Sequence, residues 1–355
     1  GERSAWWADR ARRTHHDPAL RRLRIPVARD SEVFGRAQEL GILRGAWEGT
    51  RRGAGRTVLV EGEAGVGKTR LLDAFVHEVE RHGARTLYGS YPPEGTQHGL
   101  TRAILDHLGG EDLEDRLAAY FHGADALAEA FALALRSETL YEGASPLSGD
   151  ALSAALVRLA QGLARERPTL WIVEDLHNAG PAARRRVLAM ARALEHHPLL
   201  LVMTTRPGAV DAELPELSRL ETFHHLEVPR LEAAALQQIV DTLFFDREVA
   251  ERVGPLLTRR ADGVPFFVFE LVRGLGESGR LRRRGDGRYE EVVRVDTIEA
   301  PPTVRDLVRL RLAELSDDER HLVDVAAVQG FAFDPPLQAA VLQLPRVKVL
   351  QTLAW

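Results

Sequence analysis

Short, fully apolar runs alternate along this chain with longer stretches in which apolar residues recur every three or four positions. The short runs predict strands over 57–60, 85–88, 170–173 and 199–204, with a weaker fifth over 223–228. Between them, helical spacing predicts helices over 36–52 (Leu40, Ile42, Leu43, Trp47) and 69–82 (Leu71, Leu72, Phe75, Val76, Val79). Further helices are expected over 99–108, 151–165 and 181–194, and one acidic, Ala-rich helix over 111–136. A loop is expected at 141–148. Strands alternating with helices imply a parallel sheet covered on both faces, an α/β class of fold. After Pro229 the strands nearly stop. Helices are expected over 231–245, 247–259 and 266–277, a charged hairpin within 278–295, and helices over 304–315 and 317–328 after Pro301-Pro302. Residues 1–30 form an Arg-rich lead-in, with Trp6 and Trp7 near its start and Pro18 and Pro26 interrupting any helix.

Composition narrows the class. With 355 residues, 45% hydrophobic and 28% charged, the chain is expected to form two or three globular domains. The absence of cysteine excludes disulfides, Cys-ligated metal sites and a cysteine nucleophile. A net charge of −5 argues against bulk polyanion binding. No apolar run approaches the roughly 18 residues of a membrane span, and the start has no secretory apolar region. The chain begins without Met and a helical pattern is still open at Trp355, so a piece of a longer protein is expected. Lys68 and Lys348 are the only lysines in an otherwise arginine-using chain.

Lys68 closes the chemistry-bearing loop. Gly62-Glu63-Ala64-Gly65-Val66-Gly67-Lys68-Thr69 fits the P-loop pattern, with a strand before it and an amphipathic helix after it. Its backbone N–H groups would cradle a β-phosphate, Lys68 would meet the β- and γ-phosphates, and Thr69 would hold Mg²⁺. A metal-side carboxylate is then expected at the end of a neighbouring strand. Leu170-Trp171-Ile172-Val173-Glu174-Asp175 supplies two acids, roughly 105 residues on. One would hold Mg²⁺ through water and the other would polarise the attacking water; the pattern leaves open which does which. Arg206, after the strand ending at 204, can sense a γ-phosphate or be a surface arginine. Pro265, in Gly263-Val264-Pro265, can pack on an adenine ring or simply start a helix.

In their order, these motifs resemble the STAND class of P-loop ATPases, bacterial AAA-type modules of large signal-transduction regulators. The resemblance runs from about Val33 to Val328. Val33-Phe34-Gly35-Arg36 with Glu39 is similar to the family's Gly-Arg element, which places Phe34, Gly35 and Arg36 beside the adenine pocket, and Arg70 falls next to the P-loop threonine. The resemblance implies a three-layer P-loop NTPase sandwich with a five-stranded parallel sheet (32–229), a helical lid carrying Pro265 (230–296) and a winged-helix domain (297–355). It also implies bound ATP or ADP with Mg²⁺ and a cytoplasmic location. The lead-in, 1–31, resembles linkers that join serine/threonine kinase domains to such modules; a LuxR-type regulator is another such context. Where the family often has Trp-Ala-Asp, this chain has Asn178-Ala179-Gly180, and no arginine finger stands out; both point to slow hydrolysis.

The leading expectation is therefore a nucleotide-operated switch. Its output, sensor or effector domains would lie outside this segment, with protein partners or self-association in the ATP state. A motor-type AAA+ ATPase is the alternative, as is DNA binding through the winged helix. The latter is disfavoured because Asp306, Glu314, Asp317, Asp318 and Glu319 cancel Arg305, Arg309 and Arg311. A nucleotide kinase lacks a substrate lid. The pairs His15-His16, His196-His197 and His224-His225 read as surface histidines, Arg280 to Arg284 as a solvated face, and Phe266, Phe267 and Phe269 as core.

Overall fold

A computed structural model describes residues 33–91, 98–109, 112–138 except 122, 147, 149–297 except 211, 312, 315–329, 334–345 and 348–349. In chain order the elements are α1 (Ala37–Arg51), β1 (Arg56–Glu61), α2 (Lys68–Arg81), β2 (Arg85–Ser90), α3 (His98–Leu108), α4 (Leu113–Phe121), α5 (Asp125–Glu138) and α6 (Gly149–Glu166). Then come β3 (Thr169–Glu174), a 3₁₀ turn (Leu176–Asn178), α7 (Pro181–Ala193), β4 (Leu199–Thr205), α8 (Leu214–Leu217) and β5 (Phe223–Glu227). The remainder is α9 (Ala233–Leu243), α10 (Arg247–Ala261), α11 (Pro265–Glu277), β6 (Leu281–Arg283), β7 (Tyr289–Glu291), α12 (Asp317–Gln329) and α13 (Pro335–Val341).

The five strands pair in parallel in the order β2-β3-β4-β1-β5. Side chains of a strand alternate between faces, and both faces are apolar here. Val58, Val60, Leu170, Ile172, Leu200 and Val202 pack with Leu43, Trp47, Leu71 and Phe75 of α1 and α2. Trp171, Val173, Leu201 and Met203 pack instead with Ile104, Leu117, Phe131, Leu156 and Val187 of α3 to α7. Helix, sheet and helix thus form the expected three-layer α/β sandwich. A third apolar cluster joins α9, α10 and α11 to Leu281 of β6, and Phe34 packs on it from the far end of the chain.

Two expectations are corrected. The single helix over 111–136 is two helices, α4 and α5, because Gly123 takes a left-handed φ of 79° that ends one helix before Asp125 starts the next. The acid-bearing strand β3 is not beside β1, since β4 lies between them. Both β3 and β4 are wholly buried runs, and hydrophobic periodicity carries no information on lateral order. The hairpin within 278–295 forms, as β6 and β7. The lead-in, with His15 and His16, the helix over 304–315 with Arg305, Arg309 and Arg311 (all but 312 and 315), and nearly all of the loop over 141–148 lie outside the described residues. The winged helix expected over 297–355 lies largely outside them too, apart from α12, α13 and short neighbours. Among the described residues, no helix is long and apolar enough to cross a membrane.

Candidate nucleotide site

The site begins where β1 ends. The parallel register brings Glu61 level with Thr205 of β4 and Glu227 of β5, so three strand ends meet at one edge. Gly62 N–H donates to the Thr205 carbonyl at 3.3 Å, tying the loop to the tip of β4. The loop then turns through Gly65 and Gly67, both left-handed, into α2, whose first residues are Lys68 and Thr69. Gly65 must be glycine for a second reason. A Cβ there would stand 2.8 Å from the Phe266 Cβ and 3.2 Å from the Val264 side chain. Glu63 and Ala64 are exposed, Val66 is buried against the α1–α2 core, and Arg70 is half-buried in the first turn of α2.

Lys68 Nζ donates to the carbonyls of Gly62 at 2.7 Å and Glu63 at 3.0 Å. Burial lowers its pKa, and the surrounding charges are those of Asp175, Arg206, Glu174 and Glu61. Lysine, both acids and Arg206 are therefore brought together from three elements. Glu174 is the last residue of β3 and is buried; its carboxylate accepts a hydrogen bond from the Tyr88 hydroxyl of β2. Asp175 follows with a left-handed φ of 58°, half-buried, and its N–H donates to Thr204 Oγ1 at 2.9 Å. Among the carboxylates that act on Lys68, Asp175 weighs more than Glu174. Arg206 is exposed at the tip of β4.

His177, in the 3₁₀ turn just after the acids, has its pKa pushed down to about 4 by burial, then by Arg206, Lys68 and Arg184. Arg184 of α7 fixes that turn, donating to the carbonyls of Ala179 (2.9 Å), Ala209 (3.0 Å) and His177 (3.0 Å).

On the other side, the loop is bound to the helical cluster. Phe266 N–H donates to the Gly65 carbonyl at 3.3 Å. Arg230, in the linker after β5, donates to Glu63 Oε2 at 2.9 Å and also pairs with Asp262 at the end of α10. Pro265 is half-buried at the first position of α11, directly before Phe266. Phe34, Gly35 and Arg36 approach from the N-terminal side. A Cβ on Gly35 would lie 2.6 Å from Ala235 Cβ of α9, so glycine allows the close contact. Arg36 is buried and donates to Glu39 Oε1 (2.9 Å), the Val66 carbonyl (3.0 Å) and the Pro229 carbonyl (2.7 Å). It thus touches both the phosphate loop and the linker to the helices. A cavity of about 270 Å³ opens here, lined by Glu61, Glu63, Val66, Pro207, Glu227 and Arg230 among others.

Several of these residues were not foreseen. Tyr88 carried only the signal of its strand, Arg230 none, and Thr204 was hidden in an apolar run. Phe266, expected in the core, lies on Gly65, whereas Phe267 packs on the third cluster. Arg282 and Arg284 pair with Glu290 across the hairpin, consistent with a solvated face. His196, His224 and His225 are exposed.

Among the described residues, no three His, Asp or Glu side chains cluster as a metal site. Hard oxygen donors from Thr69 and one or two carboxylates are what a Mg²⁺ shared with phosphates requires, so the residues fit that ion.

Comparison with known proteins agrees. Residues 32–202 match the family described as the AAA ATPase domain. An uncharacterized protein of Rhizobium meliloti is 25% identical over 340 residues, 87% of this chain but only 31% of that protein. The fold is similar to that of the Aeropyrum pernix ORC1 protein solved in complex with DNA (TM-score 0.50, 16% identity, 93% of this chain and 85% of that one). A STAND protein with a tetratricopeptide repeat sensor, PH0952 from Pyrococcus horikoshii, also matches (TM-score 0.46, 14% identity, 91% of this chain and 39% of that one). The family match over residues 32–202, the phosphate loop between β1 and α2 and the five-stranded parallel sheet together support a nucleotide-binding ATPase domain in this chain.

Proposed function

We propose that this chain is a nucleotide-operated switch of the STAND type, with slow Mg²⁺-dependent ATP hydrolysis resetting it. Its core would span 32–229 and its lid 230–296, and its sensor and output domains would lie elsewhere in a longer protein. The observation that carries the reading is the tie between phosphate loop and helices: Phe266 N–H to the Gly65 carbonyl, and Arg230 joining Glu63 to Asp262. Groups that grip a nucleotide through this loop also bear on the helices, so ATP and ADP can differ in how they hold the two parts together. A ligand shifts such an equilibrium only by its differential affinity for the two arrangements.

Within this reading Lys68 and Arg206 hold phosphate charge, and the loop N–H groups cradle the β-phosphate. Thr69 with Glu174 or Asp175 would hold Mg²⁺, which supplies charge neutralisation at the phosphates when bound. Tyr88 orients Glu174, and Thr204 fixes the backbone of Asp175, to which we give the water-side role. Pro265 packs on the base.

Pro265→Ala tests the reading. It removes the ring contact and frees the backbone at the start of α11. ADP affinity should fall by about 1 kcal/mol or more, with a smaller ADP-dependent rise in melting temperature, while turnover at saturating ATP persists. A wild-type ADP affinity in this variant would remove the lid from nucleotide reading. Turnover above about one per second would favour a motor-type ATPase.

A further inference from the structure

Two residues of the site each open a tight turn. Asp175 opens the turn after β3, which closes where Asn178 N–H donates back to the Asp175 carbonyl at 2.9 Å. Arg206 opens the turn after β4, which closes where Ala209 N–H donates to the Arg206 carbonyl at 3.2 Å. The two strands are neighbours, with Val173 level with Met203, and Asp175 N–H reaches Thr204 Oγ1 at 2.9 Å. From β1, Gly62 N–H of the phosphate loop donates to the Thr205 carbonyl, one residue before Arg206. Both turns thus start at the loop's end of the sheet, with Arg206 exposed and Asp175 half-buried.

One guanidinium holds both turns. Arg184, half-buried in the first turn of α7, donates through Nε to the Ala179 carbonyl (2.9 Å) and through Nη2 to the His177 carbonyl (3.0 Å), on the Asp175 side. Through Nη1 it donates to the Ala209 carbonyl (3.0 Å), the last residue of the Arg206 turn, with Glu213 Oε1 3.6 Å away. The N–H directions of a planar fork are fixed, so Arg184 sets the spacing between these carbonyls as well as binding each. Asp175 needs a firm turn: its φ of 58° and ψ of 43° are left-handed, a conformation that L-residues avoid unless their surroundings hold them in it. The three carbonyls lie outside the phosphate loop, so Arg184 acts through Asp175 and Arg206 and not on a nucleotide.

We propose that Arg184 is a positioning residue: it sets the spacing of Asp175 and Arg206, so that acid and cation meet the terminal phosphate of a nucleoside triphosphate together. This rests on the reading above, with Asp175 on the water side and Arg206 holding phosphate charge, and adds the group that couples them.

The test is steady-state ATP hydrolysis, with calorimetric affinities for ADP and for a non-hydrolysable ATP analogue with Mg²⁺, in wild type, Arg184→Met, Arg184→Lys, Asp175→Asn and Arg184→Met with Asp175→Asn. Melting temperatures check folding. A reacting group misplaced by about 1 Å can lose about 100-fold in rate, so Arg184→Met should lower kcat by about tenfold or more. The analogue's affinity should fall by about threefold or more, and ADP affinity should stay within about twofold of wild type. Arg184→Lys keeps the charge without the fork, so it should match Arg184→Met, and it carries the test if Arg184→Met does not fold. In the double variant, the kcat loss should fall short of the product of the two single losses by about threefold or more. Wild-type kcat in either Arg184 variant, single losses that multiply in full, or ADP affinity falling as far as the analogue's overturns the assignment. If wild-type turnover is too slow to measure, the ratio of analogue to ADP affinity decides alone. Wild-type protein that bound neither nucleotide would sink the underlying reading, and this inference with it.

Discussion

Arg36 offers the sharpest single test of how this site is held. Arg36 is 3% exposed, and its guanidinium serves three acceptors from three places: Glu39 in α1, Val66 in the phosphate loop and Pro229 in the linker. Arg36→Ala strands the Glu39 carboxylate, whose side chain is 9% exposed, without its cation. Breaking a buried pair from one side costs about 3–5 kcal/mol. The two carbonyls also lose charged donors, at about 1–3 kcal/mol each where nothing replaces them. Water entering the cavity left by the side chain offsets part of this, so the terms overlap and about 3–5 kcal/mol is the expected total. Against a typical stability of about 5–15 kcal/mol, that is a large share. Urea unfolding followed by tryptophan fluorescence, with Trp47 and Trp171 both in the core, measures it. Arg36→Met with Glu39→Leu removes both charges and should recover the share of the loss owed to the stranded Glu39 carboxylate, while the Val66 and Pro229 carbonyls stay without their donor. That double variant still lacks the link from Val66 to Pro229, so its ADP affinity should stay down by about tenfold. An Arg36→Ala variant within about 1 kcal/mol of wild type would refute the buried-pair reasoning. A double variant with normal ADP affinity would make Arg36 a purely structural residue.

Other perturbations address the chemistry. Lys68→Ala should reduce ATP affinity by at least about tenfold, or ~1.4 kcal/mol, by calorimetry; an unchanged value would remove the phosphate-binding role of the loop. Asp175→Asn should leave ATP binding nearly intact and slow phosphate release in a steady-state assay by about tenfold or more. If Glu174→Gln abolishes turnover and Asp175→Asn does not, the two acids exchange roles. Tyr88→Phe removes the hydroxyl that donates to Glu174 and should lower turnover several-fold with little effect on nucleotide affinity, a split read from kcat against KM.

Legibility in the sequence tracked the range of the interaction. The alternation of apolar runs and helical stripes reports each element's own burial, and the five strands and most helices follow from it. The motif from Gly62 to Thr69 was legible because the turn, the cradle and the lysine are all local. The break at Gly123 was local too but was masked by an Ala-rich stretch whose spacing continues on both sides. Lateral strand order was not legible, because a buried strand looks the same at any interior position of the sheet. Contacts such as Tyr88 to Glu174, 86 residues apart, or Arg230 to Glu63, 167 apart, leave no trace in spacing.

Those long-range contacts decide what kind of site this is. A phosphate loop alone needs only β1, α2 and the ends of two strands. Here the same few residues also serve as attachment points: Gly65 for Phe266, Glu63 for Arg230, Val66 for Arg36. The Arg230 pairs are largely exposed, with side chains 46–78% accessible, and each contributes at most about 1 kcal/mol. The Arg36 contacts are buried and far stronger. The attachment therefore has a firm side, at the N-terminal strap formed by residues 33–36, and a weak side, at Glu63 and Arg230. A joint built this way opens by releasing the weak side first, so Arg230→Ala should loosen the helices while the strap holds. Hydrogen exchange should then quicken in α10 and the start of α11, with β1 and α2 unchanged. Equal protection in wild type and variant would show that the exposed pairs do not restrain the helices, and that Arg36 and the Phe266–Gly65 bond carry the joint alone.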